Sequence, residues 1–191
     1  IRNVELDDLL GRDPVVLDSA GLAEWLGNRV AMVTGAGGSI GAELTRQIAR
    51  FRPARLVLFD ISEAALYEIR TAPGDEFTQL PMVTVVGDVK HAALVEDVLE
   101  REKPNVVFHA AAYKHVPPME ETNAWQAVRN NAYGTWVIAR ASVAAKVEKF
   151  VLVSTDKAVN PTSVMGASKR LAEIVCQTLQ GGGTAFVVVR F

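Results

Sequence analysis

The chain lacks most of the features that mark a disulfide-stapled, membrane-spanning or nucleic-acid-binding protein. Its 191 residues include one cysteine, Cys176. One thiol cannot close an internal disulfide, so a reducing compartment fits. Cys176 lies in an apolar helical stretch and reads as a packed core thiol rather than a nucleophile. No apolar run approaches about 18 residues, so the chain does not cross a membrane as a helix by itself. No signal-peptide pattern opens it. Basic residues are not in excess: 20 Lys and Arg stand against 22 Asp and Glu, for a net charge of −2. With no basic stripe, no nucleic-acid partner is expected. No metal site is read from the sequence. Hydrophobic residues make up 49% and charged residues 22%, which excludes a disordered chain. The length suits one domain that can bury a core without staples.

What is present is a rhythm. Short β-branched runs expected to be strands lie at residues 30–34, 55–60, 83–86, 105–109, 150–154 and 185–190. Helical patterns lie at 39–50, 63–70, 92–102, within 122–145, and from about 164 to 180. Most strand runs show no clean in/out alternation, as parallel strands covered on both faces do not. The expected fold is therefore α/β, a Rossmann-type doubly wound parallel sheet, occupying residues 29–191. Residues 1–28, acidic and apolar, read as an N-terminal arm or linker. No internal repeat or low-complexity tract occurs.

Between the first strand and first helix lies Thr34-Gly35-Ala36-Gly37-Gly38-Ser39-Ile40-Gly41. The spacing Gly35-x-x-Gly38-x-x-Gly41 departs from G-x-G-x-x-G counted from Gly35, because residue 40 is isoleucine. It also lacks the Gly-Lys-Ser/Thr of a nucleoside-triphosphate loop. Glycines let the backbone approach a pyrophosphate, and a helix N-terminus favours the anion. A purely structural turn is the competing reading, and the position directly after a strand favours the phosphate cradle, with Ser39 and Ile40 in it. Asp60 ends the second strand, 19 residues after Gly41. A carboxylate there accepts ribose hydroxyls and repels a 2′-phosphate, favouring NAD over NADP. Capping the next helix is its alternative role. Asp88 and Val89, after the third strand, are placed for the adenine edge.

After the fourth strand comes His109-Ala110-Ala111-Ala112-Tyr113-Lys114-His115. The alanines allow close approach of a cofactor, and His109 reads as structural. Lys114 and His115 face either a diphosphate or sugar, or solvent. Asn131, in the long helix, holds a water or backbone carbonyl near a catalytic lysine, or makes an ordinary helix–helix hydrogen bond. The fifth strand ends in Ser154-Thr155-Asp156-Lys157, at the strand end where open α/β sheets bind ligands. Alone, Asp156 would be a turn residue and Lys157 a surface charge. Met165 and Lys169 share one helical face four residues apart. A lysine beside an oxidised nicotinamide has a lowered pKa and polarises a nearby hydroxyl.

Taken together, Gly35-x-x-Gly38-x-x-Gly41, Asp60, His109-Ala-Ala-Ala, Asn131-x-x-Gly134-Thr135, Thr155-Asp156-Lys157 and Met165-x-x-x-Lys169 resemble the extended short-chain dehydrogenase/reductases. More narrowly they resemble the large, methionine-containing UDP-N-acetylglucosamine 4,6-dehydratases of capsular and O-antigen polysaccharide biosynthesis. The resemblance covers nearly the whole chain, including Asp7-Asp8-Leu9-Leu10-Gly11-Arg12. It implies that NAD oxidises C4 of a UDP-sugar and is regenerated by reduction at C6. Lys157 would remove the C5 proton, and Asp156, its pKa raised in a closed site, would protonate the departing C6 hydroxyl. Met165 stands where related enzymes carry tyrosine, so the C4 hydroxyl proton would pass to Thr155 or Ser154 backed by Lys169. The resemblance further implies a homo-oligomer and a chain truncated before a C-terminal substrate domain. An N-terminal membrane region upstream would place the domain in the cytoplasm, at the inner face of the membrane. An epimerase or reductase on the same scaffold would not need Asp156 and Lys157. A non-catalytic NAD-binding fragment is the remaining alternative.

Overall fold

The computed structural model describes residues 18–71, 77 and 79–191, so Asp7–Arg12 lie outside the described residues. Strands β1 (Val30–Thr34), β2 (Arg55–Asp60), β3 (Met82–Val86), β4 (Val106–His109), β5 (Lys149–Val153) and β6 (Ala185–Val189) form one sheet. Its order is β3-β2-β1-β4-β5-β6, and every pairing is parallel. The chain reverses its direction of travel between β1 and β4. Such a switch point opens a crevice at the carboxyl ends of the two strands.

The period-2 geometry of strands explains the two layers. Ala31 and Val33 of β1, with Leu56 and Leu58 of β2, face α2 (Ser39–Arg50) and α3 (Glu63–Thr71). Met32, Val57, Phe59, Val107, Phe150 and Leu152 face α4 (Ala92–Glu102), α7 (Gly134–Ala144) and α8 (Val164–Leu179). All ten of these strand residues have no exposed surface. Burying each one contributes roughly 1.5–3 kcal/mol for the larger side chains. The expectation that strands are covered on both faces fails at β6. Ala185, Val187 and Val189 are exposed there, while Phe186 and Val188 pack under α8.

Helix α1 (Ser19–Leu26) precedes β1. Its Trp25 ring has the Arg29 guanidinium 5.1 Å and the Lys149 ammonium 4.4 Å from its centroid. Arg29 also pairs with Glu148 at 3.1 Å, which ties the helix to the start of β5.

The segment between β4 and β5 departs from the single long helix expected within 122–145. A short helix, α5 (Val116–Glu121), comes first, with Pro117 and Pro118 in its opening turn. Proline is tolerated there because the first-turn N–H groups have no intrahelical acceptor. The long helix is then interrupted: α6 (Ala124–Ala127) runs into a π-helical turn, Val128–Tyr133, before α7. The widened turn lets two consecutive residues, Asn130 and Asn131, both point inward and stay buried.

His109, at the end of β4, is sealed beneath this turn. The Thr135 hydroxyl donates its only proton to the Asn131 carbonyl at 2.6 Å. It must therefore accept from His109 Nε2 at 3.0 Å, which leaves Nδ1 to accept from the Thr34 hydroxyl at 2.6 Å. Both ring nitrogens are satisfied by the neutral imidazole. Burial, and then the nearby Lys169 charge, push its pKa down to about 3. The unfolded chain takes up this proton near pH 6.5, and the folded chain refuses it until about pH 3. The unfolded state thus binds more protons inside that window, so stability falls as pH falls through it. Urea unfolding at pH 7.5, 6.0 and 5.0 is expected to show a loss of up to about 1.4 kcal/mol per pH unit below pH 6.5 from this group. His109→Gln removes that share of the slope.

Candidate functional site: a trench at the carboxyl edge of the sheet

The turn after β1 is built on missing side chains. Gly35 has φ +69°, in the left-handed region, and a methyl group on it would lie 2.5 Å from the Ala111 nitrogen. The Gly38 N–H donates to the Gly35 carbonyl at 3.0 Å, and Gly38 then caps α2 without any side-chain cap bond. The first N–H groups of α2 therefore point into the crevice. Two cavities meet there, sharing Gly38, Ala110 and Ala112.

The first cavity, about 380 Å³, is flanked by Asp60, Ile61, Asp88, Val89 and Ala111. Asp60 accepts from the Gly37 N–H at 2.8 Å through one carboxylate oxygen and from the Ser62 N–H at 2.9 Å through the other. The capping role on α3 falls instead to the Ser62 hydroxyl, which accepts from the Ala65 N–H at 3.2 Å. A carboxylate has about four acceptor sites, so Asp60 keeps capacity for a ligand's hydroxyls. Asp88 is paired with Lys90 at 2.8 Å. Burial works against its charge, but the bonds from Lys90 outweigh that and lower its pKa. Lys90 also donates to Asn130 at 3.0 Å, so the π-helical turn holds this corner in place.

The second cavity, about 260 Å³, gathers Ser39, Ile40, Gly41, Lys114, Ser154, Thr155, Lys157, Met165, Lys169 and Phe191. Lys114 reaches across the glycine turn to the Ser39 hydroxyl at 2.6 Å, which sets a cation beside the N-terminus of α2. Met165 and Lys169 are buried. Lys169 donates to the Val153 carbonyl at 2.6 Å. Burial brings its pKa down to about 8, against the opposing pull of Cys176 and Glu173. Thr155 caps a 3-10 turn, Asp156–Ala158. Its hydroxyl donates to Asp156 at 3.0 Å, and Lys157 lies 3.3 Å from the same carboxylate oxygen.

The family-model match now decides the family: residues 31–191 match the one described as polysaccharide biosynthesis protein. The chain belongs to that family. It is 45% identical over its whole length to the capsular polysaccharide biosynthesis protein CapD of Staphylococcus aureus, of which it covers 32%. It is 28% identical over 84% of its length to a UDP-N-acetylglucosamine 4,6-dehydratase (inverting) of Campylobacter jejuni, covering 47% of that protein. The structure of DesIV, a dTDP-glucose 4,6-dehydratase from Streptomyces venezuelae with NAD and TYD bound, superposes with a TM-score of 0.73 at 25% identity, over 84% of this chain and 55% of that one. The chain spans about a third of the length of the first curated relatives it matches. Further relatives, of which it covers nearly half, include both a UDP-N-acetylglucosamine 4,6-dehydratase and a UDP-glucose 4-epimerase.

The family cofactor, NAD(H), fits these residues. The turn leaves no room for side chains, the α2 N-terminus is uncapped, and Asp60 has free acceptor sites facing the first cavity. Most of the residues singled out from the sequence line the trench; His115, Asn131 and Asp156 do not, and Ser154 and Lys157 line it in settings the sequence does not announce. His115 is exposed on the loop and lines neither cavity. Asn131 lines neither cavity. It grips the Tyr113 backbone by two hydrogen bonds, at 2.8 and 2.9 Å, and Ser168 at 2.9 Å. Ser154 gives its hydroxyl proton to Glu173 at 2.7 Å, so a proton relayed through it would have to end on a carboxylate whose pKa is lowered to about 2. Asp156 points to solvent, its side chain 74% exposed, and lines neither cavity. Its pKa is lowered, chiefly by Thr155 and then by Lys157, and not raised as expected for an acid in a closed site. Lys157 lies on the rim, its side chain 58% exposed.

Sequence reasoning passed over Gly37, Lys90, Asn130, Glu120 and Glu173. Glu120 of α5 accepts from the Val164 N–H at the start of α8. A capping carboxylate 44 residues away leaves no periodic trace in the sequence. Glu173 could have been found as a charge on the otherwise buried Lys169 face of α8.

The tightest contact of the trench supplies a prediction. A methyl group at Gly41 would lie 1.9 Å from the Gly35 carbonyl oxygen. Gly41→Ala is expected to cost about 1–3 kcal/mol in urea unfolding. In calorimetric titration it should weaken NAD binding at least about tenfold.

Proposed function

We propose that this domain carries the catalytic half of an NAD-dependent UDP-N-acetylglucosamine 4,6-dehydratase. The observation that carries the reading is the Asp156–Lys157 pair at the carboxyl end of β5, on the rim of the cavity that holds Met165 and Lys169. The likeness to the Campylobacter jejuni dehydratase supports the UDP-sugar class. When bound, NAD supplies the reversible oxidation of the sugar's C4 carbinol. The glycine turn, Asp60, Asp88 and the alanines after β4 would hold it. Asp60, already accepting from two backbone N–H groups, disfavours a 2′-phosphate, which favours NAD over NADP.

A ketone at C4 makes the C5 proton acidic, and elimination then needs a base for that proton and an acid for the C6 oxygen. Lys157 and Asp156 supply them. In water they form an ion pair across 3.3 Å. Covering the pair with a ligand penalises two separate charges. Moving one proton from the amine to the carboxylate leaves a neutral amine and a neutral carboxyl. Lys157 then takes the C5 proton, the C5–C6 double bond forms, and Asp156 protonates the C6 hydroxyl as it leaves as water. Thr155 is the hydroxyl placed to relay the C4 proton, taking it as it passes its own toward Lys169, which lines the same cavity and loses its charge more easily than an ordinary lysine. The Met165 thioether has no proton to exchange, and a relay through Ser154 would end on the firmly ionised Glu173. An epimerase would use the same trench and leave Asp156 and Lys157 without a role.

The test uses the protein at the length of its relatives, with UDP-N-acetylglucosamine and NAD, and follows the 4-keto-6-deoxy product by NMR. Lys157→Ala and Asp156→Asn are each expected to lower turnover by about 10²-fold or more, with NAD affinity within about twofold. Full turnover in both variants would reject the assignment. A thermal shift with each dinucleotide examines Asp60: NAD should stabilise the chain more than NADP, and Asp60→Ala should narrow the gap. Greater stabilisation by NADP would contradict the cofactor choice.

A further inference from the structure

Glu173 is a carboxylate with no exposed surface, one helical turn beyond Lys169 on α8, and the elimination does not use it. It accepts four hydrogen bonds. Ser154 Oγ and Arg190 Nε reach one oxygen at 2.7 and 2.8 Å. Arg190 Nη2 and Arg170 Nη1 reach the other at 2.6 and 2.8 Å. The Arg190 bonds, followed by burial acting against them, hold its pKa at about 2. It is a permanent anion whose acceptor sites are filled.

Its partners lie on three elements. Ser154 follows β5, and Arg190 follows β6. Phe191, next to Arg190, lines the cavity with Lys169. Among the described residues, the other hydrogen bonds between the strand ends are backbone bonds. The Ser154 N–H donates to Val189 O at 2.6 Å, and the Asp156 N–H donates to Phe191 O at 3.4 Å. A forked guanidinium on a buried carboxylate fixes angle as well as distance, which backbone pairing at a sheet edge does not.

We propose that Glu173 is a positioning residue. Through Ser154 and Arg190 it clamps the carboxyl ends of β5 and β6 to α8, so that Thr155, Lys157, Lys169 and Phe191 face one cavity. The catalytic consequence rests on the dehydratase reading, whereas the clamp itself does not. Ser154 is a member of the clamp and not the acceptor of the sugar's proton.

Two measurements test this. The first is amide hydrogen exchange on the chain, comparing wild type with Glu173→Gln, and with Arg190→Lys as a second variant should the first fail to fold. The Ser154 and Asp156 amides are expected to exchange at least about tenfold faster, and the Gly35 and Ala110 amides to change less than about twofold. Uniform acceleration, or no change at Ser154, would overturn the clamp. The second is turnover in the protein at its relatives' length. Glu173→Gln is expected to lower kcat at least about tenfold while KM moves less than about threefold, and Ser154→Ala is expected to lose less. A loss in Ser154→Ala as large as that in Thr155→Ala would return the proton-accepting role to Ser154 and overturn the assignment. If the wild-type protein makes no 4-keto product, the dehydratase reading falls, and the exchange pattern alone then supports or overturns the clamp.

Discussion

Gly41 lies so close to Gly35 that a single methyl group would meet its carbonyl oxygen at 1.9 Å, and one on Gly35 would meet the backbone nitrogen of Ala111 at 2.5 Å. Three chain segments, the turn after β1, the start of α2 and the loop after β4, are therefore in direct backbone contact at the switch point of the sheet. The rest of the carboxyl edge depends on that contact. It brings Gly37 within hydrogen-bond distance of Asp60 and Ser39 within reach of Lys114. It aims the free N–H groups of α2 at the place where the two cavities join.

Around that frame the charges are arranged in depth. His109 is deepest and stays neutral, because burial and then the Lys169 charge disfavour its cation, and threonine hydroxyls satisfy both nitrogens of the neutral ring. Lys169 is buried next to it and is discharged more easily than an ordinary lysine. Glu173, on the same helix, stays ionised because two guanidinium groups surround it. Asp156 and Lys157 remain in water at the rim. In the proposed dehydratase their acid–base roles depend on a ligand that desolvates them, whereas the charge states of the inner groups are set by the fold.

Much of the fold could be read from the sequence because its signals are local. The β-branched runs and the helical periods between them gave β1, β2, α2 and α4 with the same ends as the structure. The glycine turn and the Thr155-Asp156-Lys157 turn were found where open sheets bind ligands. What was missed has non-local causes. The π-helical turn exists because Asn130 and Asn131 both find buried partners on other elements, which no periodicity announces. The short helix α5 carries two prolines in its opening turn, so no helical pattern announces it in the sequence.

The sequence by itself determined the sheet, its glycine cradle and the family, because strand content, helix period and short motifs are written in neighbouring residues. Only the tertiary structure decided which polar residues face the trench. Ser154 and Thr155 are adjacent in sequence and both line the cavity, yet one gives its proton to a buried glutamate 19 residues away and the other to the exposed Asp156 beside it. Asp156, read as an acid in a closed site, stands in water with its proton held off by its neighbours. Direction, burial and charge environment arise where distant segments pack, and the linear order of residues does not encode them one by one.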